Sequence, residues 1–150
     1  RDDFDRPLNA RGNRDAPRMG KQLYQRGLHP QLILSSPALR AITTAEIVAA
    51  ELGYKTESIV TDSNLYLASP ATILDILRTK GAACTDVMLV GHNPGLSELA
   101  NRICDVNIDN IPTCGAFTVE LYADSWDALG KVAGQLAWFD YPKKPDAPDS

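Results

Sequence analysis

Three times in succession this chain runs from a short aliphatic segment through a turn into a helical pattern, and that repetition limits its fold more than any other feature. Parallel strands need a long connection between them, usually a helix, so repeated strand-then-helix units point to a mostly parallel sheet. The first run, Leu32-Ile33-Leu34, ends at Ser35-Ser36-Pro37 and leads into a helix predicted through about Leu52 and stopped by Gly53. Its expected apolar stripe is Leu39, Ile42, Ile47, Val48 and Leu52. The second run lies near Ile59-Val60. A Ser-Asn turn and Leu65-Tyr66-Leu67 then lead to a helix from Ser69-Pro70 to about Lys80, with Ser69 as N-cap and Pro70 at the first helical position. The third run, Val87-Met88-Leu89-Val90, is apolar without alternation, as expected of a central strand buried on both faces. It breaks at Gly91-His92-Asn93-Pro94-Gly95 and resumes as a helix with Leu96, Leu99, Ala100 and Ile103 on one face.

The flanks complete the architecture. Residues from about Asn13 to Arg26 read as a helix with Ala16, Met19 and Leu23 inward, and Pro17 means that it either starts near Asn13 or is kinked. From Ala116 the pattern alternates through Phe117, Val119 and Leu121. After a polar turn about Asp124 to Gly130 comes a second run, Val132 to Phe139, so an antiparallel hairpin is expected. The predicted fold is therefore α/β: a three-layer α/β/α sandwich with a mostly parallel central sheet and a C-terminal antiparallel hairpin. With 150 residues, 44% of them hydrophobic and 23% charged, one buried core suffices, so 1–142 are expected to be one domain. The Pro, Asp and Lys residues of 143–150 have little to bury and are expected to form a mobile tail.

A formal net charge of −4 disfavours coating nucleic acid or an anionic membrane, each of which calls for a basic surface. Locally the sign reverses, because Arg1, Arg6, Arg11, Arg14 and Arg18 crowd the first eighteen residues, a composition suited to an anion. No stretch is long and apolar enough to span a bilayer and no signal-peptide core precedes the first element, so the cytoplasm is the default location. Cys84, Cys104 and Cys114 form no close metal-type pair and are expected to be buried reduced thiols. The sequence carries no defensible dimer signal.

In open α/β sheets ligands sit where strands end and helices begin. The turn after the third run presents His92 between Gly91 and Gly95, glycines that allow close backbone approach to a ligand. A histidine there is able to donate hydrogen bonds to a transferring phosphoryl group. The turn after the first run presents Ser35 and Ser36 and, one helical turn on, Arg40. Since Leu32 to Ala45 is otherwise uncharged, Arg40 has no local carboxylate and its partner is expected to be the ligand. Arg6 lies in Phe4-Asp5-Arg6-Pro7-Leu8, where Pro7 fixes the backbone and Phe4 and Leu8 anchor the segment. Arg1, Arg11, Arg14 and Arg18 are expected on a solvated helix or loop, and His29 at the surface. Asp2, Asp3 and Asp5 include a possible general acid, though a run of charges is usually solvated.

Three segments together resemble the histidine phosphatase superfamily: Asp5-Arg6-Pro7-Leu8 with Ala10-Arg11-Gly12; Ser35-Ser36-Pro37-Ala38-Leu39-Arg40-Ala41-Ile42-Thr43-Thr44-Ala45; and Val90-Gly91-His92-Asn93-Pro94-Gly95. Within it the chain looks like the small phosphohistidine phosphatase SixA branch, which implies a phosphoglycerate mutase-like fold. The resemblance also implies a mechanism without cofactor or metal, in which a nucleophilic histidine takes the phosphoryl group and water releases it. Arg6 and Arg40 would bind phosphate, and His92 would be the second, catalytic histidine. The family's nucleophile ends the first strand in Arg-His-Gly or Arg-His-Ala, and no Arg-His dipeptide occurs in these 150 residues. The expectation is that an apolar strand ending in Arg-His lies upstream of Arg1 and is central to the sheet.

The implied substrate is phosphohistidine in a protein or a small phosphate monoester. Short loops leave an open site, which favours a protein. The rival reading is a pseudoenzyme that grips phosphate with Arg6, Arg40 and His92 without covalent chemistry. A nucleotide-binding flavodoxin-like module ranks behind both, because no Gly-rich phosphate loop is present.

Overall fold

A computed structural model of the chain describes residues 2–25, 27–84, 86–92, 95–104, 116–120 and 135–140. The helices are α1 (Ala10–Gln25), α2 (Leu39–Leu52), α3 (Pro70–Lys80) and α4 (Gly95–Cys104). The strands are β1 (Leu32–Ser35), β2 (Val60–Thr61), β3 (Asp86–Val90), β4 (Ala116–Glu120) and β5 (Gln135–Asp140). They form one sheet in the order β2-β1-β3-β4-β5. β1 pairs in parallel with β2 and β3, whereas β4 is antiparallel to both β3 and β5, which gives the expected C-terminal hairpin.

The two aliphatic strands divide their side chains between two cores. Leu32, Leu34, Val87 and Leu89 meet Ile73, Leu74 and Leu77 of α3 and Leu96 and Leu99 of α4 on one face. Ile33, Met88 and Val90 meet Ala16, Met19 and Leu23 of α1 and Ala45, Val48 and Ala49 of α2 on the other. This is the three-layer sandwich, and it accounts for the missing alternation in β1 and β3: every residue of β1 and all but the first of β3 are buried. Ser69 caps α3 as expected, its hydroxyl accepting from the Thr72 N–H. Gly53 ends α2 in the left-handed region at φ 73°.

Three expectations need correction. α1 begins at Ala10 rather than near Asn13, because the Asn9 side chain caps it by accepting the Gly12 N–H at 2.7 Å. Pro17 therefore sits inside the helix, where it has no N–H to give the Asn13 carbonyl; the buried row Ala16, Met19 and Leu23 holds that turn against α2. In α2 the buried face is Ala41, Thr44, Ala45, Val48, Ala49 and Leu52, while Leu39 is 42% exposed. Small residues face α1 because the helices touch closely: a Cβ at Gly20 would lie 2.7 Å from the Glu51 Cβ. Finally, Cys84 is half-buried against the first core, not fully buried.

Among the described residues no helix is long and apolar enough to cross a membrane. The turn of the C-terminal hairpin, the tail 143–150, Arg1, Asn93, Pro94 and Cys114 lie outside the described residues, as do the side chains of Ala100, Ile103 and Cys104.

Candidate functional site

β1 and β3 end side by side, with Ser35 in register with Val90. The turn after β1 is fastened to the end of β3, because the Ser36 N–H donates to the Val90 carbonyl at 3.0 Å. Ser36 is fully buried, and its Oγ accepts the Ala38 N–H at 3.2 Å, which fixes the entry to α2 and with it Arg40 in the first turn. Two residues beyond β3 comes His92, so both side chains reach one place from adjacent strand ends.

There His92 Nε2 lies 2.7 Å from Ser36 Oγ, and Nδ1 lies 3.3 Å from Arg40 Nη2. A guanidinium only donates, so Nδ1 accepts, the proton sits on Nε2, and Nε2–H donates to Ser36 Oγ. His92 is thus a neutral imidazole. Its pKa is pushed down from 6.5 to about 4, first by burial and then by the Arg40 cation, with the Asp3 carboxylate opposing.

The other partner of Arg40 is a carboxylate of the chain itself. Nη1 donates to the Asp3 carbonyl at 2.7 Å and Nη2 to Asp3 Oδ2 at 3.0 Å. No carboxylate is local to Arg40, as expected, but the fold brings Asp3 from far upstream to the guanidinium, where the ligand was the expected partner. Arg6 contributes from the surface. Its Nη2 lies 2.9 Å from Asp3 Oδ1 and its side chain is 60% exposed, so an ion pair holds it rather than packing by Phe4 and Leu8. Leu8 is buried, whereas Phe4 is exposed and turns against the ring of Tyr66, their centroids 5.1 Å apart and nearly perpendicular.

Tyr66, the middle residue of the apolar triplet Leu65-Tyr66-Leu67, completes the cluster. Its hydroxyl donates to Asp3 Oδ2, and its ring meets His92 in a T-shaped contact with centroids 5.3 Å apart. The Tyr66 hydrogen bond is the main reason that the Asp3 carboxyl titrates below its ordinary value; Arg40 adds to it and desolvation opposes. The same bond raises the Tyr66 hydroxyl.

The two glycines of the His92 turn differ in their surroundings. A Cβ at Gly95 would lie 1.9 Å from the Ala68 carbonyl oxygen, so this glycine seats α4 against the loop that carries Tyr66. Nothing lies within 4 Å of a Cβ at Gly91. Away from the site, Arg11, Arg14 and Arg18 gather round the buried Asp15 carboxylate at 3.5, 3.5 and 3.9 Å, Arg14 and Arg18 from exposed positions. His29 is exposed beside Tyr24, and Asp2 and Asp5 are exposed. Among the described residues no group of three or more His, Cys, Asp or Glu side chains is placed to hold a metal ion.

The cluster is a seat for an anion: two guanidinium groups and a tyrosine hydroxyl converge on one carboxylate beside a neutral histidine. A family model described as histidine phosphatase superfamily, branch 1, matches residues 2–66. The chain is 28% identical over 144 residues to an uncharacterized chloroplastic protein of Arabidopsis thaliana, covering 91% of this chain and 66% of that one. It is 40% identical over 104 residues to an uncharacterized Picosynechococcus protein, covering 68% and 62%. It thus spans less than two thirds of either relative's length. With an uncharacterized protein of Mycobacterium tuberculosis the identity is 30% over 135 residues, 90% of this chain and 82% of that one. Among solved structures, the SixA protein of Agrobacterium tumefaciens superposes with a TM-score of 0.74 at 26% identity, covering 95% of this chain and 87% of that chain. A protein histidine phosphatase SixA complexed with tungstate superposes equally well, with a TM-score of 0.74, 22% identity, and 94% and 87% covered.

Proposed function

The chain belongs to the histidine phosphatase superfamily, and from that premise we propose that it is the phosphate-binding part of a phosphatase acting on phosphohistidine in a protein or on a small phosphate monoester. One observation carries this reading: Arg40 and His92 stand 3.3 Å apart at adjacent strand ends, with an anion already seated on the guanidinium. In this reading Arg40 and Arg6 bind the equatorial phosphoryl oxygens, and charge-assisted bonds there stabilise the negative charge of the transition state. His92, neutral in the free site, presents a ring nitrogen to the same group.

The covalent step needs a nucleophile that neither histidine of this chain supplies, since His92 is the second histidine and His29 is at the surface. We assign it to the histidine of an Arg-His motif on a strand N-terminal to Arg1. Both edges of β3 are paired, with β1 and β4, so a strand entering beside β3 would have to open one of those pairings. The nucleophile's ring nitrogen attacks phosphorus, the bond to the leaving oxygen or nitrogen breaks, and the leaving group takes up a proton. Water then attacks phosphorus, the P–N bond breaks, and inorganic phosphate departs.

The test is acid-labile incorporation of labelled phosphate into the full-length protein, with a His92→Ala variant beside it. Transient label on a histidine upstream of Arg1 supports the covalent mechanism. Absence of label, with tungstate still bound, assigns the pocket to phosphate recognition alone.

A further inference from the structure

The anion seat is filled by the chain's own carboxylate, and the way it is filled bears on which ligands enter. Asp3 spends both carboxylate oxygens on the two arginines assigned to phosphate, Oδ2 on Arg40 and Oδ1 on Arg6. Tyr66 adds its hydroxyl to Oδ2. The Asp3 carbonyl binds Arg40 as well, at 2.7 Å, so the carboxylate is tethered at the seat from two points.

Resting on the phosphatase reading above, we propose that Asp3 determines the charge selectivity of the site: it is a built-in competitor that a phosphoryl dianion displaces and a monoanion does not. A tethered ligand acts at an effective concentration in the millimolar range, which a free monocarboxylate of equal charge must exceed to take its place. A dianion has twice the charge to set against the same guanidinium groups, and three oxygens to share among Arg40, Arg6 and the freed Tyr66 hydroxyl.

The turn that carries Asp3 is built to let go. Residues Asp3–Asp5 form a single 3-10 turn in which no residue is buried, so Asp3 can swing out without opening either core. Arg40 keeps its bond to His92 Nδ1 meanwhile, so the main cation stays in place when the carboxylate leaves. Substituting the carboxylate by an amide removes the competing charge and keeps the side-chain shape.

The experiment is calorimetric titration of the full-length protein at pH 8 and constant ionic strength with inorganic phosphate and, separately, with acetate. It compares the unmodified chain with Asp3→Asn, Asp3→Ala and Arg40→Ala. Both Asp3 variants are expected to bind phosphate about tenfold more tightly and acetate more tightly still relative to the unmodified chain, so that discrimination between the two anions falls. Unchanged or weaker phosphate binding in both Asp3 variants, with binding lost in Arg40→Ala, overturns the proposal alone, because Asp3 then serves to orient Arg40. Phosphate binding that persists in Arg40→Ala, or is missing in every protein, defeats the phosphatase reading and the proposal with it.

Discussion

Nη2 of Arg40 stands 3.3 Å from Nδ1 of His92, a cation facing the lone pair of an imidazole that is itself half-buried. The pair is favourable only while His92 is neutral, since a proton on Nδ1 would turn the contact into a repulsion between two cations.

The His92 ring is therefore expected to titrate near 4 rather than near 6.5, and Arg40→Ala is expected to move the midpoint up. Following the ring protons by NMR between pH 3 and 8 measures both. The sign of the stability change follows. Between 6.5 and about 4 the unfolded chain binds a proton at His92 that the folded chain does not, so this group's contribution is full above 6.5 and lost as pH falls through that window. A midpoint of 6 or higher in the unmodified chain would contradict the burial of the His92 ring and the Arg40 contact together.

Ser36→Ala removes one oxygen that serves two donors, the Ala38 N–H and His92 Nε2–H. Ser36 is fully buried, so the abandoned Ala38 N–H has no ready access to water. The expected cost is about 1–3 kcal/mol, read from urea unfolding, the range for a buried polar group left without its partner. Ser35→Ala makes a useful comparison. The Ser35 hydroxyl donates only to the neighbouring Ser36 carbonyl at 2.9 Å, and its loss is expected to leave the His92 titration where it was.

What the sequence made legible was local. The extents of β1, β3, α2 and α3 followed from apolar runs and end signals a few residues apart, such as Gly53 after α2 and Ser69-Pro70 before α3. That Arg40 and His92 come together was legible because each follows a strand by a short, fixed distance. Asp3 was not, since in sequence it is indistinguishable from Asp2 and Asp5, and only the fold brings it to Arg40 across 37 positions. Tyr66 was hidden for a related reason: Leu65-Tyr66-Leu67 reads as core, yet only Leu65 is buried, while Leu67 is exposed at φ 53°. At α1, Pro17 drew the predicted start inward, although the Asn9 cap decides it.

Gly95→Ala tests whether the loop at Tyr66 depends on α4. The added methyl would overlap the Ala68 carbonyl oxygen, and backbone on both sides leaves no flexible side chain to yield. A destabilisation of about 1–3 kcal/mol is expected, the usual cost of overpacking. Because the displaced loop carries Tyr66 two residues before Ala68, the His92 midpoint should rise in the same variant as its ring loses cover. Gly91→Ala, where a Cβ meets nothing within 4 Å, is expected to change neither measurement.

Tyr66→Phe separates the two things Tyr66 does. The phenyl ring keeps the T-shaped contact with His92, and Arg40, Asp3 and the burial of the imidazole are untouched, so the His92 midpoint is expected to stay near 4. Asp3, by contrast, loses the hydrogen bond that most lowers its pKa and is expected to titrate higher, which a carbon-13 carboxyl titration measures. The stability linkage follows the same direction. A carboxyl lowered below 3.8 contributes stability that is present above that pH and lost as pH falls through the folded value, so raising the folded value shrinks the contribution. Tyr66→Ala removes ring and hydroxyl together and should move both groups upward. If Tyr66→Phe shifts His92 as far as Tyr66→Ala does, the hydroxyl rather than the ring governs the histidine, and the division of roles argued from the two contacts fails.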